Sequence, residues 1–222
     1  MFMDLRQELF NNQDLAYKDF HKKLIPTVDE NLIIGVRIPV LRKLAKQAHK
    51  ENAYNACEYY EEIMLKGFTL GLKKCSLDEH IEDLKTFVKQ IDNWAVCDCC
   101  CSSFKFTEIY LDEMFDFIVS FVGKSEYETR FAVVMLMDYY LNDKYIQAVI
   151  DILINIASEE YYVNMAVAWA LSVVFVKYQD LLLPVIKSKT LSKDVQNKTI
   201  QKIKDSLRVD KETKQMLNQY IM

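Results

Sequence analysis

The chain is poor in the residues that interrupt regular structure. Its 222 residues include only four glycines and three prolines. This scarcity disfavours a turn-rich β protein and favours helices joined by short connections. No apolar run is long enough to span a membrane, and the first residues lack the basic and apolar regions of a secretory signal. We therefore predict an all-α protein that resides in the cytoplasm and has no membrane partner.

Histidine is also scarce, with three residues that form no ligand pattern with the six cysteines. Zinc sites need paired ligands separated by a long loop, whereas Cys97, Cys99, Cys100 and Cys101 are crowded together. Neighbouring cysteines on a helix point in different directions, which disfavours disulfides among them. The cluster favours close packing of one helix against its neighbours over a metal site. Since the sequence also lacks a glycine-rich phosphate loop and a dinucleotide fingerprint, no metal or organic cofactor is expected.

Charge is distributed unevenly along the chain, whose net formal charge is −4. Between residues 187 and 214, nine lysines and arginines face four acidic residues, which gives this segment +5 and the remainder −9. A basic end on an acidic body is compatible with a phosphate-binding surface. The solvated face of terminal helices is the alternative interpretation.

Amphipathic helices account for nearly the whole chain, with predicted starts near residues 76, 107, 125, 143, 158 and 192. Ser76 and Ser125 each precede a glutamate by three residues, which is the capping-box pattern. Thr107 is predicted to begin a helix that continues to Phe121, and Ser158 to begin another. Helix pairs recurring at about 35–40 residues indicate degenerate HEAT-like or armadillo repeats. We predict one domain, residues 1–222, folded as a right-handed α-solenoid with a concave face. The apolar segment 131–137 should be sandwiched inside it.

The most informative motif places Trp94 four residues before Asp98. On a helix this spacing puts the indole and the carboxylate side by side on one face. An aromatic plane beside an anion can receive a flat cation through cation–π and Coulomb attraction. The alternative is an ordinary helix with one buried tryptophan and one surface aspartate.

With these motifs in place, the chain resembles the AlkD-like DNA alkylation repair proteins, which are HEAT-like-repeat DNA glycosylases. The resemblance extends over nearly the whole chain and depends on the order and spacing of several segments. These are residues 34–42 (IGVRIPVLR), 64–67 (MLKG), the Trp94–Asp98 pair, 129–133 (TRFAV), 165–171 (MAVAWAL) and 197–203 (NKTIQKI).

The resemblance implies a protein that binds duplex DNA and excises cationic N3- or N7-alkylated purines, for which no small-molecule cofactor is expected. We predict a monomer. The resemblance also implies that Asp98 is the catalytic carboxylate, that Trp94 and Trp169 flank the deoxyribose of the lesion, and that Arg130 holds DNA near the site. The other residues expected to contact DNA are basic: Arg37, Arg42, Lys43, Lys198 and Lys202.

Structural roles are possible for several of these residues. Trp169 lies among small apolar residues that are typical of a core, Arg130 could pair with Glu126 one turn earlier, and Arg37 and Arg42 could be solvated. Two functional hypotheses therefore remain open. One is the glycosylase, and the other is a non-catalytic helical-repeat module that binds nucleic acid or a protein through its concave face.

Overall fold

The computed structural model describes residues 4–51 and 57–222. Within these ranges the chain forms 13 α-helices and three short 3-10 helices and contains no strand, which confirms the all-α prediction. None of the described helices is long and apolar enough to cross a membrane. The chain divides into two compact units, Met1–Tyr110 and Leu111–Met222.

The first unit contains six α-helices and two 3-10 helices, Glu30–Leu32 and Lys105–Glu108, in its described part. The α-helices are α1 (Leu5–Asn11), α2 (Leu15–His21), α3 (Ile38–Glu51), α4 (Tyr60–Leu72), α5 (Leu77–Val88) and α6 (Trp94–Cys101).

The second unit contains seven α-helices and a terminal 3-10 helix, Asn218–Tyr220. The α-helices are α7 (Leu111–Val119), α8 (Glu126–Tyr139), α9 (Ile146–Asn155), α10 (Tyr161–Lys177), α11 (Gln179–Ser188), α12 (Lys193–Asp205) and α13 (Lys211–Leu217).

Several helix starts follow the predicted capping chemistry. Ser76 and Ser125 are the N-caps of α5 and α8, and each forms a capping box with the glutamate three residues later. Ser192 caps α12, where its hydroxyl oxygen accepts a hydrogen bond from the backbone N–H of Val195. These three predictions are confirmed because a cap depends only on the residues of the first helical turn.

The predicted helix start at Thr107 is wrong, since Thr107 lies in a 3-10 helix and α7 begins at Leu111 and ends before Phe121. Phe104 and Phe106 are both buried, and their rings contact Phe87 and His80. Residues two apart do not share a face of an α-helix, so burying both rings requires a different backbone here.

The predicted start at Ser158 is also displaced, because α10 begins at Tyr161. The hydroxyl of Ser158 accepts the backbone N–H of Glu160, and its carbonyl accepts the side-chain amide of Asn164. This local serine turn delays the helix by competing with its first hydrogen bonds. In addition, α11 has no predicted start, and Pro184 lies inside it.

Helices α4 and α6 pack closely at two glycines. A Cβ atom on Gly67 would lie 2.3 Å from the Sγ of Cys100, and one on Gly71 would lie 2.4 Å from the carbonyl oxygen of Ser103. Residue numbers increase together in the two contacts, from Gly67 to Gly71 and from Cys100 to Ser103. Helices α4 and α6 therefore run in the same direction. Cys97, Cys100 and Cys101 are buried and all six cysteines are free, as the packing prediction required.

Helices α8, α10 and α12 form the core of the second unit. Residues 129 to 137 of α8 are all buried, and α8 packs against α7 and α10, which confirms that this segment is sandwiched. Helix α10 in turn packs against α12, where the ammonium group of Lys198 lies 5.3 Å from the ring centre of Tyr161. Trp169 and Lys202 line one cavity further along the same two helices. Thus α10 and α12 also run in the same direction.

A buried carboxylate anchors the loop that precedes α3. Glu61 of α4 is fully buried and accepts the backbone N–H groups of Ile34, Gly35 and Val36 at 2.9, 2.6 and 3.2 Å. Burial raises the pKa of Glu61, while the three N–H groups favour its ionised form. Residues 34–36 of the motif at 34–42 therefore have a structural role, which is to bind this carboxylate and position α3.

Candidate functional site

Helix α6 presents Trp94 and Asp98 one turn apart. The helix begins after Asn93, whose side-chain oxygen accepts the N–H of Val96 at 2.9 Å. Ala95, Val96 and the cysteines at 97, 100 and 101 are buried, whereas Trp94 and Asp98 are only half-buried. The packing of the apolar and thiol side chains therefore leaves this pair on the accessible part of the helix.

The indole of Trp94 is fixed by a contact from outside its own helix. Its Nε1 donates a hydrogen bond of 2.7 Å to the carbonyl oxygen of Leu24, in the turn after α2. A tryptophan with one polar tip anchored keeps its ring in one orientation while part of the ring stays accessible.

Arg42 of α3 reaches the end of α6 that lies beyond Asp98. Its Nη2 donates to the carbonyl oxygen of Cys99 at 3.2 Å. Burial, and secondarily the negative charge of Asp98, raise the pKa of the Cys99 thiol to about 11. Cys99 is therefore a neutral thiol near pH 7, and the formal charges beside it belong to Asp98 and Arg42.

The other predicted basic residues of the first unit differ in their surroundings. The guanidinium of Arg37 forms an ion pair of 2.9 Å with Asp14 and lies 5.0 Å from the ring centre of Tyr17. The N–H of Tyr17 and the charge of Arg37 both lower the pKa of Asp14, which caps α2. Arg37 thus contacts the start of α2 rather than α6, and Lys43 is exposed on α3.

In the second unit, Arg130 is buried, with 5% of its surface exposed. Its Nη1 donates to the carbonyl oxygen of Tyr162 at 2.7 Å, and Glu126 accepts the backbone N–H of the same tyrosine at 2.8 Å. Helix α8 therefore binds both peptide groups at the start of α10. This structural role for Arg130 was not predicted from the sequence.

The structure brings two predicted residues, Trp169 and Lys202, together in the second unit. Both line a cavity of about 370 Å³ between α10 and the end of α12. Trp169 is half-buried there, and the polar side chains around it belong to Ser172, Lys202, Asp205, Ser206 and Arg208. Sequence reasoning noted Arg208 only as part of the basic segment and missed its position beside Trp169. The described residues contain no group of three or more side chains that could hold a metal ion.

Comparison with known families identifies the chain. A family model described as "DNA alkylation repair enzyme" matches residues 5–203. The chain belongs to this family. The match covers most of the 222 residues, confirms the resemblance found in the sequence and supports a role in DNA repair. A comparison with curated proteins found no significant match.

Proposed function

We propose that this member of the DNA alkylation repair enzyme family is a glycosylase that removes cationic N3- or N7-alkylated purines from duplex DNA. The observation that carries the proposal is the Trp94–Asp98 pair, half-buried and one turn apart on α6. The family match supports a role in the repair of alkylated DNA, and the pair has the chemistry that a cationic alkylated purine would need.

Alkylation at N3 or N7 places a positive charge on the purine and makes it a good leaving group. When the bond between C1′ and N9 breaks, its electron pair neutralises the base and positive charge develops on the sugar. Asp98 would stabilise that oxocarbenium-like centre and orient the water whose oxygen attacks C1′. The proton of this water would pass to Asp98 or to solvent.

The remaining predicted residues would bind the DNA around this centre. Trp94 and Trp169 would offer ring faces to the cationic sugar, and Arg130 would contact a phosphate. The predicted backbone contacts are Arg37, Arg42, Lys43, Lys198 and Lys202. The monomeric state and the cytoplasmic location also remain predictions.

Helix spacing supports the HEAT-like architecture within this proposal. Helices α4, α6, α8, α10 and α12 begin at intervals of 32 to 35 residues, slightly shorter than the predicted repeat. The α4–α6 and α10–α12 pairs are each parallel, as stacked repeats require. A right-handed solenoid of 222 residues with a concave DNA-binding face is the architecture that we propose.

Release of free base from alkylated duplex DNA tests the function. We expect the protein to release 7-methylguanine or 3-methyladenine, and Asp98→Asn to slow release on the order of 10²-fold or more. Asp116→Asn is the matched control, because Asp116 is an exposed helical aspartate on α7. Equal activity of the two variants would exclude Asp98 as the catalytic carboxylate.

A second candidate function is the non-catalytic binding module. The deep burial of Arg130 and the pairing of Arg37 with Asp14 weaken the glycosylase relative to this alternative, because two residues predicted to hold DNA around the reacting centre already have partners within the protein. Retention of undamaged duplex without release of any alkylated base, by a folded protein, would favour this second function.

A further inference from the structure

A cationic cavity lies at the far end of α6 in the first unit. It measures about 490 Å³ and is bounded by α3, α4 and the segment that follows α6. None of the described residues that line it is acidic. Its polar side chains belong to Arg42, Lys46, Ser102, Ser103 and Lys105.

The guanidinium of Arg42 is already held in one orientation in this cavity. It lies 4.3 Å from the ring centre of Phe68. Nη1 donates to the hydroxyl of Ser103 at 2.9 Å, and Nη2 donates to the carbonyl of Cys99 at 3.2 Å and the hydroxyl of Ser102 at 3.3 Å. An arginine has five N–H groups, so two of them have no partner among the described residues. An oriented guanidinium that keeps unused N–H donors suits an anionic ligand.

Two exposed lysines add positive charge beside this guanidinium. Lys46 has no hydrogen bond or ion pair within the described part of the chain. Lys105 forms a surface ion pair with Glu108 at 3.0 Å. Exposed pairs of this kind contribute little and exchange readily with other anions. Arg42 alone could be explained by the partial negative charge at the C-terminal end of α6, which a cation stabilises. That role does not explain why three cations line one cavity in which no described lining residue is acidic.

The cavity continues the helix face that carries the proposed catalytic pair. Trp94, Asp98 and Ser102 follow one another at intervals of four residues, and Ser102 lines the cavity. We propose that this cavity binds a phosphate group and that, given the proposed glycosylase function, its ligand is a backbone phosphodiester of the DNA strand that meets Asp98. Arg42 is then a direct phosphate ligand, with Lys46 and Lys105 beside it.

Salt dependence of DNA binding provides the first test. The variant is Lys46→Gln, because Lys46 is exposed and its replacement is expected to leave the fold intact. The matched control is Lys73→Gln, in a cavity between α4 and α5 where Lys73 pairs with Asp83 at 2.7 Å. For undamaged duplex, the slope of log K against log salt should lose about 0.9 in magnitude in Lys46→Gln and stay unchanged in Lys73→Gln.

Inorganic phosphate, at an ionic strength matched with chloride, provides the second test. Phosphate should raise the unfolding temperature of the native protein and of Lys73→Gln more than that of Lys46→Gln. Equal salt slopes for the two variants, together with equal stabilisation by phosphate, would overturn the proposal.

The two proposals can fail separately. If no alkylated base is released but Lys46→Gln alone loses salt slope, the glycosylase proposal fails and the phosphate site stands. If duplex is not bound but inorganic phosphate stabilises the native protein and not Lys46→Gln, the ligand is a free phosphate and the assignment to DNA is overturned.

Discussion

The Nε1 of Trp94 lies 2.7 Å from the carbonyl oxygen of Leu24, to which it donates a hydrogen bond across 70 residues of sequence. This contact joins the first residue of α6 to the turn after α2. The ring that we propose to face the sugar is therefore oriented by the fold before any DNA arrives, which reduces the cost of ordering it on binding.

Replacing Trp94 with phenylalanine should destabilise the protein through loss of this bond. Trp169→Phe is the matched control, because Trp169 is also half-buried on a helix and its indole N–H has no hydrogen-bond partner among the described residues. Trp94→Phe should lower the free energy of unfolding by about 1 kcal/mol more than Trp169→Phe. Urea denaturation followed by circular dichroism measures the difference, and equal losses would mean that the bond contributes nothing.

Gly35 is expected to resist substitution for two separable reasons. Its φ is +100°, and a Cβ atom there would lie 2.6 Å from the Cβ of Lys18 and 2.9 Å from the carbonyl oxygen of Asp14. Gly123 has a φ of +80°, but no described atom lies within 4 Å of its added Cβ. Gly123→Ala therefore isolates the backbone cost, about 1 kcal/mol.

Gly35→Ala should cost at least about 1 kcal/mol more than Gly123→Ala, because the clash adds to the backbone cost. Thermal or urea unfolding of the two variants gives the comparison. If Gly35→Ala and Gly123→Ala lose the same free energy of unfolding, α2 and the loop before α3 can move apart without an energetic cost.

Stability should fall in mild acid because of His80. This residue is buried, its ring stacks on Phe106 with 3.7 Å between ring centres, and burial lowers its pKa below the ordinary 6.5. The unfolded chain therefore takes up a proton first as the pH falls. The contribution of neutral His80 to the stability of the fold is complete above a pH of about 6.5. It is lost as the pH falls through the lower pKa of His80 in the folded protein.

His80→Phe removes the titrating group and keeps a ring against Phe106. The free energy of unfolding of this variant, measured from pH 7.5 down to about 5, should depend less on pH than that of the native protein. Part of the slope should persist, since burial also lowers the pKa of His21. Parallel curves for the two proteins would contradict this assignment.

Local patterns in the sequence predicted the all-α class and several helix starts, and long-range contacts account for the errors at other starts. The capping boxes at Ser76 and Ser125 each depend on only four consecutive residues, so they can be predicted from the sequence alone. The region around Thr107 was misjudged because burial of Phe104 and Phe106 depends on Phe87 and His80, which belong to another helix. Burial of this kind overrides the local helical pattern.

The same distinction applies to the candidate site. The Trp94–Asp98 pair follows from spacing on one helix, so the sequence predicts it. The partner of Arg37 lies 23 residues away and that of Arg42 lies 61 residues away, and no local pattern reveals them. Lys46 was missed as well, although Ser102 could have been noticed because it lies four residues after Asp98.

The close approach at Gly67 determines how near α6, which carries Asp98, can pack to α4. A methyl group there would collide with the Sγ of Cys100 and displace α6 from α4. Asp98 is carried by the displaced helix, so its carboxylate would shift with it. In the glycosylase reaction that we propose, a misplacement of about 1 Å from the reacting carbon can cost 10²-fold in rate. The absence of a Cβ atom at residue 67 thus helps to determine the position of the Asp98 carboxylate, 31 residues further along the chain.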